Sequence, residues 1–389
     1  MKKTTRVNHP PAVELPPGNR PLVGPIYQTV KFEFDSVEET EAYLRGERAG
    51  FYYSRTSNPT NRQLEQLLAE LQGRDDCLVT ASGVGAIAQT LLALTKQGDH
   101  VVCFVETYNP TRYLIRRLLG RFGVTHTLLS IEDLAGVERA LARPTRLVYF
   151  ESPTNPVTKI ADIAALTRLA HAAGALSVMD NTFAGFHQHG GFEVDVFLHS
   201  LTKYASGTGD VMGGAVIARS ELIRALRTDF SALGGTLDPH AAFLILRGLK
   251  TYFVRYAAQS ASAARIAAML AAHPAVARVH YPGLPAHPQH ALAARQMQDF
   301  GTIVSFELRG GADAARRFAN SLELFALTAS LGSTESLAVT AQMLGGRELT
   351  AEQQRLSAIT DGTVRLSIGL EDTDDLIADL TGGLAAAQV

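Results

Sequence analysis

Short, β-branched apolar runs separated by helix-forming stretches fill residues 64–250 of this 389-residue chain, and that alternation restricts its fold more than any other feature. Residues 101–105, 147–150, 177–180 and 214–218 have the length and composition of strands, and stretches such as 161–173 between them are helical in character. A strand buried on both faces reads as a continuous apolar run, whereas one with a wet face alternates. Strands of the first kind, interleaved with helices, predict an α/β architecture: a mainly parallel sheet covered on both sides.

The flanking regions differ. Residues 1–60 carry Pro16-Pro17-Gly18 and Gly24-Pro25 and show a helical period only over 37–45, so they read as an arm more than a domain. Residues 61–250 form the large domain. A helix over 260–272 and strands over 303–308 and 364–368 predict a smaller α+β C-terminal domain spanning 251–389. With 46% hydrophobic residues the chain can bury a large core, and a net charge of −2 gives no reason to expect nucleic acid or an anionic membrane as partner. The basic start, Met1-Lys2-Lys3-Thr4-Thr5-Arg6, leads into His9-Pro10-Pro11 and not into an apolar signal segment, and no run is long enough to span a bilayer. Cys77 and Cys103 sit in apolar strand-like segments and read as buried free thiols, with no metal site. These features predict a cytoplasmic enzyme.

Chemistry enters at the strand ends, where open α/β sheets hold their ligands. The runs 176–179 and 194–198 are followed by Asp180-Asn181-Thr182 and by Ser200-Leu201-Thr202-Lys203-Tyr204. A lysine there can form a Schiff base with an aldehyde cofactor, and an aspartate can hold a pyridinium proton, which is what pyridoxal 5'-phosphate (PLP) needs to withdraw electrons. A strand over 76–80 leads through Ala81-Ser82-Gly83-Val84-Gly85 into a helical stretch over 86–94. Glycines let backbone amides approach an anion and the helix start adds a favourable dipole. Neither the P-loop nor the dinucleotide spacing is present, so a single phosphate fits best.

Five segments in order, Tyr52-Tyr53-Ser54-Arg55-Thr56-Ser57-Asn58-Pro59-Thr60, Glu151-Ser152-Pro153-Thr154-Asn155-Pro156, Asp180-Asn181-Thr182-Phe183, His199-Ser200-Leu201-Thr202-Lys203-Tyr204 and Arg365-Leu366-Ser367-Ile368-Gly369-Leu370-Glu371, span nearly the whole chain. Through them it closely resembles the Cys/Met-metabolism family of PLP enzymes, which includes cystathionine γ-synthase, cystathionine β- and γ-lyases, methionine γ-lyase and homoserine-ester sulfhydrylases. The resemblance implies a fold-type I PLP-dependent transferase and a homotetramer built as a dimer of dimers. It implies that Lys203 carries the cofactor and moves protons, that Asp180 pairs with the pyridine nitrogen, and that Ser82, Gly83 and Val84 with the hydroxyls of Ser200 and Thr202 cup the phosphate. Tyr108 is implied to stack on the ring and to help protonate the leaving sulfur. Tyr53 and Arg55 are implied to reach the phosphate or substrate of a neighbouring subunit. Arg365 is implied to bind the substrate α-carboxylate, assisted by Asn155 and the backbone near Ser330, with Glu151 ordering the Asn155 turn.

Three departures bear on the substrate. Tyr108-Asn109-Pro110-Thr111 stands where many members have Tyr-Gly-Gly-Thr, which predicts a stiffer loop. Thr328-Ala329-Ser330-Leu331-Gly332 lacks the glutamate that many cystathionine-processing members carry before Ser-Leu-Gly, and Ala338-Val339-Thr340-Ala341-Gln342-Met343 lacks the family's histidines. The expected activity is a carbon–sulfur lyase acting by β- or γ-elimination on cystathionine or a related sulfur amino acid. The alternatives are γ-replacement on a homoserine ester, as in cystathionine γ-synthase or a sulfhydrylase, and methionine γ-elimination.

Overall fold

Seven strands build the larger sheet: β1 (Asp76–Thr80), β2 (His100–Phe104), β3 (Thr125–Leu129), β4 (Leu147–Glu151), β5 (Leu176–Asp180), β6 (Val196–Ser200) and β7 (Gly214–Ala218), in the order β1-β7-β6-β5-β4-β2-β3. The structure is a computed structural model that describes residues 15–344 and 349–388, so the basic start of the chain lies outside the described residues. Parallel pairing runs from β6 through β5, β4 and β2 to β3, while β7 is antiparallel to both β6 and β1. All strands except β7 therefore finish on one edge of the sheet.

Alternate residues of these strands feed two cores, as the pleat requires. Val102, Phe104, Val148, Phe150, Met179 and Phe197 pack with Leu64, Leu68, Ile163, Leu166 and Ile245 from the helices Pro59–Gln72, Ile163–Ala172 and Pro239–Leu249. Their neighbours Val101, Cys103, Leu147, Tyr149, Val178 and Val196 pack with Ile87, Leu91, Ile223 and Phe230 from the helices Gly83–Leu94 and Ser220–Leu233. Each large apolar side chain buried this way contributes roughly 1.5–3 kcal/mol. The sheet is covered on both faces, as the unbroken apolar runs predict. Cys77 and Cys103 are buried and free, and they belong to different cores.

The second sheet has five strands, β8 (Val276–His280), β9 (Ile303–Leu308), β10 (Ala326–Leu327), β11 (Leu337–Thr340) and β12 (Thr363–Ser367), in the order β10-β11-β12-β9-β8. The helix Tyr252–Ala272 begins eight residues before the sequence pattern suggested. Its first turns put Tyr252 and Tyr256 into the core of the large sheet, and later turns put Ala263, Ile266, Ala267 and Leu270 into the core of the second. Aromatic and β-branched residues at 252–256 are weak helix formers, so packing and not propensity starts this helix.

Candidate active site

The strand ends of the large sheet and one strand of the small sheet converge around Lys203. At the end of β1 the chain turns through Ser82, which caps the helix Gly83–Leu94. Its side chain accepts from the Gly85 N–H at 3.0 Å and its carbonyl from Ala86 at 3.0 Å. The amides of Gly83 and Val84 open the helix and have no acceptor within it, at the end where the macrodipole favours an anion. Ser200, the last residue of β6, lies directly against this turn, so a Cβ on Gly83 would fall 2.6 Å from the Ser200 Cβ. Gly214, the first residue of β7, leaves room from the other side, since a Cβ there would fall 2.2 Å from the Ser82 carbonyl oxygen. Ser82, Gly83, Val84 and Ser200 thus share one cradle. Thr202 is close in sequence, and its hydroxyl accepts from the Gly213 N–H at 3.2 Å.

Asp180 closes β5, in register with Glu151 at the end of β4. Its carboxylate accepts from the Thr182 N–H at 3.0 Å and, more distantly, from the Tyr149 hydroxyl at 3.4 Å. Among the described residues no ion pair reaches it, and burial pushes its carboxyl up. A buried carboxylate without a cation is costly unless a ligand supplies one. Lys203 donates from Nζ to Ser330 Oγ at 2.9 Å. Burial, reinforced by the positive charge of Arg365, pulls the ammonium down to about 8.

Arg365 enters from the middle of β12 and is 3% exposed. One Nη donates to Asn155 Oδ1 and the other to the Ser330 carbonyl, both at 2.8 Å, while its buried Nε has no partner. Among the described residues no carboxylate pairs with it. A guanidinium this deep, fixed by two neutral acceptors and lacking an anion, is complementary to a ligand carboxylate.

Tyr108 stands at the start of the short helix Asn109–Tyr113, with Pro110 in the first turn, where a missing N–H costs nothing. Burial first, then Glu151 and Asp180, raise its hydroxyl above the ordinary tyrosine value, so at neutral pH it carries its proton. Glu151 departs from expectation. Its Oε1 accepts the Tyr108 N–H at 2.7 Å, so it fixes the Tyr108 turn and not the Asn155 turn, which is closed instead by Thr154 and Lys159. Burial and the neighbouring Asp180 push its carboxyl well up.

Tyr53 and Arg55 stand apart from this group. They touch each other, with the guanidinium 5.3 Å from the ring centroid, and Arg55 lines an open hollow of about 640 Å³ with Arg224 and Arg227. Neither bonds to Lys203, Asp180 or Ser82 of its own chain among the described residues. Sequence reasoning passed over Tyr149 and Thr182, which hold Asp180, and nothing in their local pattern sets them apart from core residues.

The residues present fit PLP. The cradle of free amides suits a phosphate, Asp180 is an unpaired buried carboxylate at the neighbouring strand end, and Lys203 is an amine with a lowered pKa. Together with the α/β fold they define a PLP-dependent enzyme of amino-acid metabolism.

The profile of the family described as Cys/Met metabolism PLP-dependent enzyme matches residues 12–385, and the chain belongs to that family. It is 42% identical over 370 residues to the L-methionine gamma-lyase of Fusobacterium nucleatum subsp. polymorphum, covering 93% of each chain. It is 39% identical over 363 residues to the O-succinylhomoserine sulfhydrylase of Pseudomonas aeruginosa, covering 93% of this chain and 90% of that one. Among solved structures, cystathionine gamma synthase from Xanthomonas oryzae pv. oryzae in complex with cystathionine superposes with a TM-score of 0.89 at 39% identity over 94% of each chain. Among the described residues no helix is long and apolar enough to cross a membrane, and no cluster of His, Cys, Asp or Glu could hold a metal ion.

Proposed function

We propose that the chain is a γ-elimination enzyme for an L-sulfur amino acid whose distal end carries no charge, of the methionine type. The reaction takes up one water and releases a thiol, 2-oxobutyrate and ammonium. The observation that carries this reading is Ala329. It stands beside Ser330, which bonds both Lys203 and Arg365, and it offers no carboxylate to a distal ammonium such as that of cystathionine. Similarity to an L-methionine gamma-lyase supports the same substrate class.

When bound, PLP supplies an aldehyde that links to amines and a ring that draws electrons away from Cα. The chain supplies the rest. Arg365, held by Asn155 and the Ser330 carbonyl, takes the α-carboxylate and so fixes which Cα bond is aligned for cleavage. Lys203 Nζ removes the Cα proton and returns it further along the carbon chain, a role suited to an amine with a pKa of about 8. Asp180 supplies the anion for the pyridinium side of the ring. Ser82, Gly83, Val84, Ser200 and Thr202 hold the phosphate. Tyr108 would lie against the cofactor ring, and its hydroxyl, which keeps its proton, donates to the leaving sulfur. Tyr53 and Arg55, which make no bond to Lys203, Asp180 or Ser82 of their own chain among the described residues, serve the site of a second subunit, and the assembly is a homotetramer of two such dimers acting in the cytoplasm.

γ-Replacement on a homoserine ester is the second reading, favoured by the similarity to an O-succinylhomoserine sulfhydrylase. The named residues serve either reaction, which differ in whether a thiol or water and proton transfer complete the turnover. Elimination from cystathionine shares the chemistry of the first reading but needs a site for a charged distal end. Ala329→Glu tests the substrate assignment. Wild type has the higher kcat/KM for L-methionine than for L-cystathionine, and the variant shifts that ratio toward cystathionine by about tenfold. A wild type that prefers cystathionine would reject the uncharged-end reading.

A further inference from the structure

One partly buried cluster behind the Tyr108 and Asn155 turns has no part in the chemistry above. Lys159 is nearly enclosed, with 12% of its side chain exposed. Its ammonium has three donors and all are used: on Glu106 Oε1 at 3.0 Å, Glu132 Oε2 at 2.7 Å and the Leu356 carbonyl at 2.7 Å. Glu106 is held in turn by Ser130 Oγ at 3.0 Å and the Ile131 N–H at 3.1 Å.

The partners come from separate pieces of chain that all lead to the site. Glu106 stands two residues before Tyr108. Leu356 lies in the helix Ala351–Ser357, whose exit runs into β12 and Arg365. Lys159 itself closes the turn that carries Asn155, donating from its N–H to Thr154 Oγ1 at 3.1 Å and accepting the Thr154 N–H at 2.9 Å. Stability is a weak reason for such an arrangement, because desolvation of buried ions offsets much of their attraction. What three donors on one atom provide is direction: the Tyr108 loop, the Asn155 turn and the approach to Arg365 are fixed to a common point.

We propose that Lys159 is a positioning residue that clamps the Leu356 segment of the small-sheet region against the Tyr108 and Asn155 loops and thereby aligns Arg365 for the substrate α-carboxylate. The proposal rests on the assignment of that carboxylate to Arg365. It is tested without turnover, using L-norleucine, which resembles methionine in shape but has no leaving group. Its binding to PLP-loaded protein is followed by the change in cofactor absorbance, alongside amide hydrogen exchange over residues 349–358.

Lys159→Met weakens norleucine binding about tenfold with cofactor affinity unchanged, and speeds exchange over 349–358. Lys159→Arg restores binding to within about threefold, and Glu132→Gln, at the more exposed carboxylate, gives an intermediate loss with unchanged Tm. Glu132→Gln decides the matter if Lys159→Met does not fold. Wild-type norleucine binding in Lys159→Met, or loss of cofactor and norleucine together in step with Tm and without rescue by arginine, overturns the clamp. Arg365→Leu is the control: if it binds norleucine like wild type, the carboxylate assignment fails independently of Lys159.

Discussion

Lys203 and Arg365 are two cations that share Ser330 as a partner, and the charge of Arg365 bears on that of Lys203. Burial is the larger influence on Lys203 and Arg365 the smaller, and together they bring the amine to about 8 from an ordinary value of 10.5. The neutral amine is the form that attacks an aldehyde, and it is the form that increases as pH rises. The rate at which PLP recombines with cofactor-free protein should therefore climb through a midpoint near pH 8 and then level off. In Arg365→Leu the midpoint moves to higher pH, because one repelling charge is gone while burial remains. Stopped-flow absorbance across pH 6–10 checks both, and an unmoved midpoint would show that Arg365 does not act on Lys203.

At the scale of elements, the cradle depends on how closely the helix Gly83–Leu94 approaches β6. Gly83→Ala puts a methyl 2.6 Å from Ser200 Cβ, on a strand end and not a flexible tip, so one of the two must move. The expected outcome is PLP affinity reduced by about tenfold or more, read by equilibrium dialysis, with Tm lowered by only a few degrees. Unchanged affinity would remove this turn from the phosphate site. This turn, like Asp180 and Lys203, could be read from the sequence because a strand end, a glycine pair or a lone charge is a local pattern. β4 was legible for the same reason, as an unbroken apolar run over 147–150, and β5 as a short apolar run interrupted only by Ser177. β3 was not, since Thr125-His126-Thr127 gives a polar start to a strand that stays partly exposed. The link from Glu151 to the Tyr108 amide spans 43 residues and that from Lys159 to Leu356 spans 197, and neither has a periodicity to reveal it.

For the whole molecule, the residues that fit PLP come together within one chain, while Tyr53 and Arg55 make no bond to Lys203, Asp180 or Ser82 among the described residues. If they serve a neighbour, inactive Lys203→Ala and inactive Arg55→Ala subunits that are allowed to exchange should together regain activity, because one site in a hybrid pair is intact. Failure to regain it, with exchange demonstrated by mass, would confine each site to its own chain. The most direct test of the central claim is to incubate the PLP-loaded protein with L-methionine and identify products by mass, with O-succinylhomoserine plus sulfide in parallel. The account predicts 2-oxobutyrate, methanethiol and ammonium from methionine alone; inert methionine together with homocysteine formed in the parallel reaction would contradict it and establish γ-replacement instead.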